Sequence, residues 1–234
     1  MNADTSVSRK DQNRQWSQIP HKNQRRLAPV KLVPRKSPQL SDQSLRASAH
    51  SRAKQGDYAG AIALFNQLIM RNPIDAINYN NRGLIYFQSG QHDKALADYN
   101  KALELNPELD SVYNNRANYY ASTGQLAEAL TDYEQALDLN PGNTRTWINQ
   151  GITFRELGLY DLALENLDMA LILGCLEDYI YAERGRTYHL RGDWNCAIAD
   201  YQRALSQLSH SGSSSRLRRK VETWMSQLLK PLSA

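Results

Sequence analysis

An interval of 34 residues runs through most of this chain, and it limits the possible folds more than any other feature. Small residues follow it in two series, one of Ala49, Gly83, Ala117, Gly151 and Gly185, the other of Ala61, Ala95, Ala129, Ala163 and Ala197. Bulky side chains recur between them, as interdigitated packing requires. The chain is therefore an array of one structural unit, and such arrays present a binding surface more often than they perform chemistry.

Each unit is predicted to be a helical hairpin. Apolar residues recur at helical spacing on both sides of one glycine per unit, which suits the left-handed turn that ends a first helix; these glycines are Gly56, Gly90, Gly124, Gly158 and Gly192. Pro73, Pro107 and Pro141 are expected to end the second helices, because proline cannot continue the hydrogen-bond ladder. Cys175 replaces proline in the fourth unit, where Gly174 is expected to end the helix instead.

The second unit carries a recognisable pattern. With Ala76 as position 1, the unit reads Tyr79, Gly83, Tyr86, Ala95, Tyr99, Ala102 and Pro107. These residues resemble the tetratricopeptide repeat family, and the similarity covers about 170 of the 234 residues. The resemblance implies an all-α fold, a right-handed α-solenoid of about five hairpins. Its repeats would span 42–75, 76–109, 110–143, 144–177 and 178–211, and a C-terminal capping helix would lie in 212–234.

Two positions vary together between the repeats. Position 7 and position 23 hold Arg82 with Asp98, Arg116 with Asp132 and Arg184 with Asp200, whereas the fourth repeat holds Gln150 with Asn166. Removing one partner of a shielded ion pair would strand a charge, so paired replacement is the expected pattern. We therefore expect an ion pair, or an amide hydrogen bond, across the two helices of one hairpin.

The two ends of the chain are basic, although the net charge is only +4. Residues 1–41 hold nine Lys or Arg and two Asp, residues 211–234 hold five and one Glu, and the repeats are left with −7. The first segment is rich in Gln, Ser and Pro and is predicted to be a disordered tail. In the last segment an apolar stripe favours a helix that caps the fifth repeat, with a membrane-surface helix as the alternative; the stripe is Leu217, Val221, Trp224, Met225 and Leu228.

A ligand groove follows from the resemblance. In the family, the first helices line a concave face, and carrying over those positions gives a mostly basic and amide-rich set. This set is Arg46, His50, Lys54, Asn80, Asn81, Leu84, Phe87, Asn114, Asn115, Asn118, Arg145, Asn149, Ile152, Arg155, Tyr179, Arg186 and His189, with Glu156 and Glu183 as its only acids. Such a face suits an extended, acidic peptide segment with one or two apolar side chains.

Asparagines recur at position 6 of three successive repeats, as Asn81, Asn115 and Asn149. Each amide can donate and accept, so this ladder could hold a peptide backbone, or the amides could bond a neighbouring helix or water. The basic set by which some family members bind chaperone C-termini is not matched here, because the required lysines are missing.

Nothing in the sequence supports catalysis. The five histidines, His21, His50, His92, His189 and His210, are scattered, and no nucleophile elbow or phosphate loop occurs. We expect no enzyme activity, no cofactor and no metal. Cys175 and Cys196 are expected to be free, buried thiols. No transmembrane segment or signal peptide is recognised, so a cytoplasmic protein is expected.

The sequence thus predicts a scaffold or adaptor whose groove binds an extended segment of another protein, in the assembly or regulation of a complex. The alternative is an accessory protein that uses its basic termini on nucleic acid or a membrane surface, and nucleic acid is disfavoured because only Trp16 accompanies the basic residues of the tail. The Tyr-Asn-Asn-Arg segments are similar to those of small bacterial repeat proteins of cyanobacterial type, whose relatives assist complex assembly. The partner, the pathway and the oligomeric state are not specified by the sequence.

Overall fold

The computed structural model describes residues 41–208 and 214–229, which form eleven helices and no strand. The helices are α1 Asp42–Lys54, α2 Tyr58–Arg71, α3 Ala76–Gln88, α4 His92–Leu105, α5 Asp110–Ser122, α6 Leu126–Leu139, α7 Thr144–Glu156, α8 Tyr160–Ile172, α9 Glu177–Arg191, α10 Trp194–Gln207 and α11 Ser214–Leu229. The first ten pack as five hairpins, each of which contacts the next. The predicted all-α solenoid is confirmed.

Glycines make the turn inside every hairpin. All five predicted glycines have φ between +76° and +96°, a left-handed conformation that disfavours other residues. Nothing lies within 4 Å of a side-chain carbon built on any of them, so backbone conformation, and not space, requires glycine there.

The turns between hairpins follow the prolines. Helices α2, α4 and α6 end two residues before Pro73, Pro107 and Pro141. In the fourth repeat Gly174 ends the helix as expected, with φ +70°. The path then differs from the other turns, because Leu176 takes φ +61° and α9 begins at Glu177.

Small residues at position 8 make room for a ring at position 24. A side-chain carbon built on Gly83 would lie 2.9 Å from Cε1 of Tyr99, and one built on Gly185 would lie 2.8 Å from Cδ1 of Tyr201. Both tyrosines are fully buried. In the second and fifth hairpins the two helices therefore approach closely only because this position lacks a side chain.

The predicted ion pairs form across the hairpins. Arg82 donates from Nε and NH2 to both carboxylate oxygens of Asp98 at 2.7 Å. Its third nitrogen, NH1, donates to Asn66 of the preceding repeat at 2.6 Å, and its guanidinium lies between the rings of Tyr79 and Tyr86. The same arrangement recurs for Arg116 with Asp132 and Asn100, and for Arg184 with Asp200 and Asp168. Each arginine thus joins its own hairpin and also ties that hairpin to the previous one.

The fourth repeat departs from the expected amide pair. Asn166 donates to the carbonyl of Leu162 in its own helix at 2.8 Å, and its Oδ1 is buried without a partner. Asparagine is short enough to bond back along its helix, and this competes with a bond to Gln150 across the hairpin. The expected hydrogen bond between Gln150 and Asn166 is therefore wrong.

Helix α11 caps the fifth repeat. All five residues of its predicted apolar stripe join a cluster with Ala182, Ala197, Tyr201 and Ala204. It contacts α9 and α10, just as α9 contacts α7 and α8, so it takes the place of a sixth first helix. Val221, fully buried, follows the fully buried Thr187 by the repeat interval. The prediction of a capping helix is confirmed.

The two cysteines and the N-terminal tail were also the subject of predictions. Cys175 and Cys196 are exposed, and their predicted burial is wrong: Cys175 lies in the turn after α8, and Cys196 lies beside Ala197 on the outward side of α10. The predicted disordered tail, residues 1–41, lies outside the described residues except for Ser41, which caps α1. Among the helices of the described part, none is long and apolar enough to cross a membrane.

Candidate functional site

The array has an inner face formed by its first helices. From α3 onward, each first helix contacts the next first helix as well as its hairpin partner. Second helices meet their hairpin partners and the following first helix instead. The hairpins are therefore closely spaced along α3, α5, α7 and α9, and all the predicted groove residues lie on these four helices and on α1.

The asparagines of the inner face bond each other across repeats. Asn115 donates from Nδ2 to Oδ1 of Asn80 at 3.0 Å, and Asn149 donates to Oδ1 of Asn114 at 3.3 Å. Asn80 is only 7% exposed. Asn115 and Asn149 each use one side-chain N–H between neighbouring helices. Their side-chain Oδ1 atoms remain available to a ligand. Asn81 is half-buried. The residue at the corresponding place in the preceding repeat is Arg46, whose side chain has no atom that can accept a hydrogen bond.

At the N-terminal end, Arg46 is already paired. It donates to Asn78 at 2.9 Å and forms an ion pair with Asp75, the residue that caps α3. His50 packs edge-on against Phe65, and partial burial, aided by the charge of Lys54, lowers its pKa. Lys54 itself is exposed.

At the C-terminal end, Glu183 holds two cations. Its side chain is 1% exposed, and its two oxygens accept from Arg155 on α7 at 2.8 Å and from Lys220 on α11 at 3.1 Å. Arg155 also donates to the backbone carbonyl of Glu183 at 3.1 Å. Tyr179 lies beside this cluster, and burial, together with Glu183, raises its pKa to about 12. Arg155 is therefore part of the fold, and little of its charge is left for a ligand.

Arg186 and His189 meet the capping helix and the fifth core ring. The guanidinium of Arg186 lies 5.4 Å from the ring centre of Trp224, which in turn stacks on Tyr201. Nδ1 of His189 lies 3.2 Å from the hydroxyl of Tyr201 and 3.4 Å from NH1 of Arg186. Partial burial and the neighbouring guanidinium lower the pKa of His189.

The middle of the inner face is less occupied by internal contacts. Leu84 is half-buried, and Phe87 packs edge-on against His92 and Tyr119. Asn118 accepts a hydrogen bond from the hydroxyl of Tyr133 at 2.7 Å. Arg145, at the start of α7, is exposed.

The structure thus joins several predicted residues to partners that the sequence did not indicate. The sequence analysis missed the Arg155–Glu183 pair. Glu183 occupies position 6, where three other repeats have asparagine, and it was interpreted only as the end of that series. An acid at an otherwise neutral repeat position, with an arginine one repeat earlier, was the available signal. Within the described residues, no group of three or more His, Cys, Asp or Glu side chains is placed to hold a metal ion.

Comparison with known proteins gives a sequence match in the middle of the array. Residues 76–109 and 111–143 match the tetratricopeptide repeat profile. No curated protein matches the chain.

Solved structures match a larger share of the chain. A thermophilic TPR protein of Thermus thermophilus is 21% identical with a TM-score of 0.68, covering 79% of this chain and 99% of that one. MamA is 17% identical with a TM-score of 0.58, covering 74% and 96%. A chain of the APC/C hetero-tetramer Cut9–Hcn1 is 19% identical with a TM-score of 0.69, covering 81% of this chain but 36% of that one. At these identities the likeness establishes the fold alone.

Proposed function

Because two repeats match the tetratricopeptide repeat profile and the array shares the fold of solved proteins of that kind, we propose that this chain is a non-catalytic scaffold or adaptor whose inner face binds an extended segment of a partner protein. Binding of this kind would serve the assembly or regulation of a complex. One of the similar solved chains is part of a hetero-tetramer, which agrees with this role but does not specify it here.

One observation carries the proposal: α11 lengthens the row of first helices instead of lying across it. A C-terminal segment that crossed the inner face would occupy the groove with the protein's own chain. Here α11 packs at the end of the row, and amide and hydroxyl oxygens along α5 and α7 keep unused acceptor sites. An extended segment can use such groups for its backbone N–H atoms.

An acidic segment is the finer proposal, and two exposed cations support it. Arg46 and Arg155 are paired with Asp75 and Glu183, so they offer little attraction to a carboxylate. Lys54 and Arg145 are exposed, and Arg145 lies in the first turn of α7 beside the middle of the face. We propose that partner carboxylates lie near these two side chains.

The alternative function, binding of nucleic acid or a membrane surface by the basic ends of the chain, has less support from the structure. The apolar stripe of α11 packs against α9 and α10, so the same stripe is not available to a lipid surface in this arrangement. Nucleic acid stays a disfavoured partner, and the remaining basic tail, residues 1–40, lies outside the described residues.

The test compares two matched double variants in affinity purification read by mass spectrometry. N81R/R145E adds bulk and reverses a charge on the inner face, and Q135R/K94E makes the same kinds of change on the exposed second helices. Proteins held by the wild type and by Q135R/K94E, but lost with N81R/R145E, are the expected result. A partner held equally by all three would contradict groove binding.

A further inference from the structure

A small cleft opens on the inner face between the third and fourth repeats. Its volume is about 160 Å³. Its lining comes from α5, α6 and α7 and includes Asn118, Ser122, Tyr133, Asn149, Thr153 and Glu156. No lysine or arginine belongs to this lining, although the array holds many elsewhere.

The hydroxyl protons of the cleft are already committed inside the protein. The three bonds are Tyr133 to Oδ1 of Asn118 at 2.7 Å, Ser122 to the carbonyl of Tyr119 at 2.7 Å, and Thr153 to the carbonyl of Asn149 at 3.0 Å. A hydroxyl that has donated its proton still has lone pairs to accept with. The exposed Ser122 hydroxyl therefore faces a ligand as an acceptor, and the almost fully buried hydroxyls of Tyr133 and Thr153 place further oxygens in the wall of the cleft.

The amides and the carboxylate strengthen this bias. Asn149 donates from Nδ2 to Asn114, and its side-chain oxygen Oδ1 is left as an acceptor. Glu156 is exposed at the C-terminal end of α7 and forms no ion pair within the described part of the chain. The N–H groups that remain on Asn118 and Asn149 can donate to a backbone carbonyl of the bound segment. The cleft is thus rich in acceptors and carries one unneutralised negative charge.

We propose that this cleft binds a lysine or arginine side chain of the partner segment, an inference that rests on the proposed function. An ammonium or guanidinium group offers several donors and no acceptor, which complements the hydroxyl oxygens and the carboxylate. A partner carboxylate would meet mostly oxygen lone pairs and the charge of Glu156. The volume accommodates the end of one side chain.

The position of the cleft also orients the segment. Arg145 and Glu156 lie at opposite ends of α7, eleven residues and about 16 Å apart along the helix axis. The inner face therefore has a cationic edge and an anionic edge at the same repeat. A segment with a basic residue at the cleft and an acidic residue near Arg145 places an opposite charge at each of these two edges.

A displayed random peptide library tests the proposal on the full chain. Selection is run on the wild type, on Glu156→Gln, and on Glu165→Gln, which removes the same charge from an exposed site on α8. We expect wild type and Glu165→Gln to enrich peptides with Lys or Arg at one fixed position, and Glu156→Gln to lose that preference. A synthetic peptide from the selection should bind Glu156→Gln about tenfold more weakly, and replacing its basic residue by norleucine should abolish this difference.

The outcomes separate the two proposals. Peptides that bind the inner face, as judged by loss with N81R/R145E, but show no basic preference would overturn the cleft assignment and leave groove binding intact. A basic preference that survives Glu156→Gln would overturn the cleft assignment in the same way. If no enriched peptide distinguishes wild type from N81R/R145E, both proposals fail.

Discussion

The hydroxyl of the tyrosine at position 24 depends on a partner within its own repeat. The hydroxyl of Tyr133 donates to Asn118, which precedes it by fifteen residues. The residue fifteen before Tyr99 is Leu84, which has no acceptor, and the hydroxyl of Tyr99 is buried without a partner. Two tyrosines at the same repeat position therefore differ in the energy of one hydrogen bond.

This difference predicts opposite results for one substitution in two repeats. Tyr133→Phe should lower the free energy of unfolding by about 1 kcal/mol, because a buried hydrogen bond is lost. Tyr99→Phe should leave it unchanged or raise it, because an unpaired hydroxyl is removed. Denaturant unfolding of both variants measures the difference, and equal losses would show that the Tyr99 hydroxyl has a partner.

The pH dependence of stability should depend on His189. Its pKa in the folded protein is lowered, by burial first and by Arg186 second, so below a pH of about 6.5 the unfolded chain takes up a proton more readily than the fold does. The stabilisation is complete above that pH and is lost as the pH falls through the lowered pKa. His189→Gln should flatten the decline in stability between about pH 7 and pH 5. His92→Gln, at an exposed histidine, is the control, and an identical slope in His189→Gln and wild type would contradict the assignment.

Among the elements, the fourth hairpin is the exception. Repeats two, three and five each use an arginine at position 7 to bind their own second helix and the preceding repeat. In the fourth repeat Gln150 stands at that position and makes neither ion pair. The junction between repeats three and four is joined by neutral bonds instead, such as Thr146 and Asn149 to Asn114.

Restoring the ion pair in the fourth repeat should therefore require both partners. Gln150→Arg or Asn166→Asp alone places a charge at a position less than 10% exposed, and each should destabilise the protein. The double variant should recover the loss, with a coupling free energy of about 1–3 kcal/mol in a double-mutant cycle. Thermal and denaturant unfolding of the wild type and the three variants measures this coupling free energy. Additive effects would show that the new pair does not form the ion pair seen in the other repeats.

The hairpins were predictable because their signals are local. A glycine that needs positive φ and a proline that cannot extend a helix determine the ends of α1 to α7 within a residue or two. The Arg–Asp pairs were predictable because they repeat at a fixed interval. Arg46 with Asp75 and Arg155 with Glu183 were not predicted, because each pair occurs once and depends on how neighbouring hairpins are stacked. Exposure of Cys196 was missed for a related reason: it adjoins a packed alanine but lies one residue round the helix from it.

At the scale of the whole molecule, the array and the basic tail are separable by experiment. Ser41 caps α1, so the N-terminal cap of the first hairpin lies C-terminal to the tail. Deleting residues 1–40 should leave the helix content and the thermal midpoint of the array unchanged, and partner binding by the inner face should persist. Circular dichroism and binding measured between about 50 and 200 mM salt check this. An association that disappears on deletion, and that weakened steeply with salt in the full chain, would assign function to the tail.

The acceptor-rich cleft lies across the one junction, between repeats three and four, that no arginine at position 7 bridges. In a linear array, stability is carried by nearest-neighbour interfaces, so the first three hairpins and the remainder can lose structure as separate blocks at that point. A basic side chain seated between α5 and α7 would contact both repeats at this junction, at a place other than the one that the arginine occupies elsewhere. Occupancy would then make the two blocks unfold more cooperatively, and the partner would join two parts of the scaffold as well as dock on it.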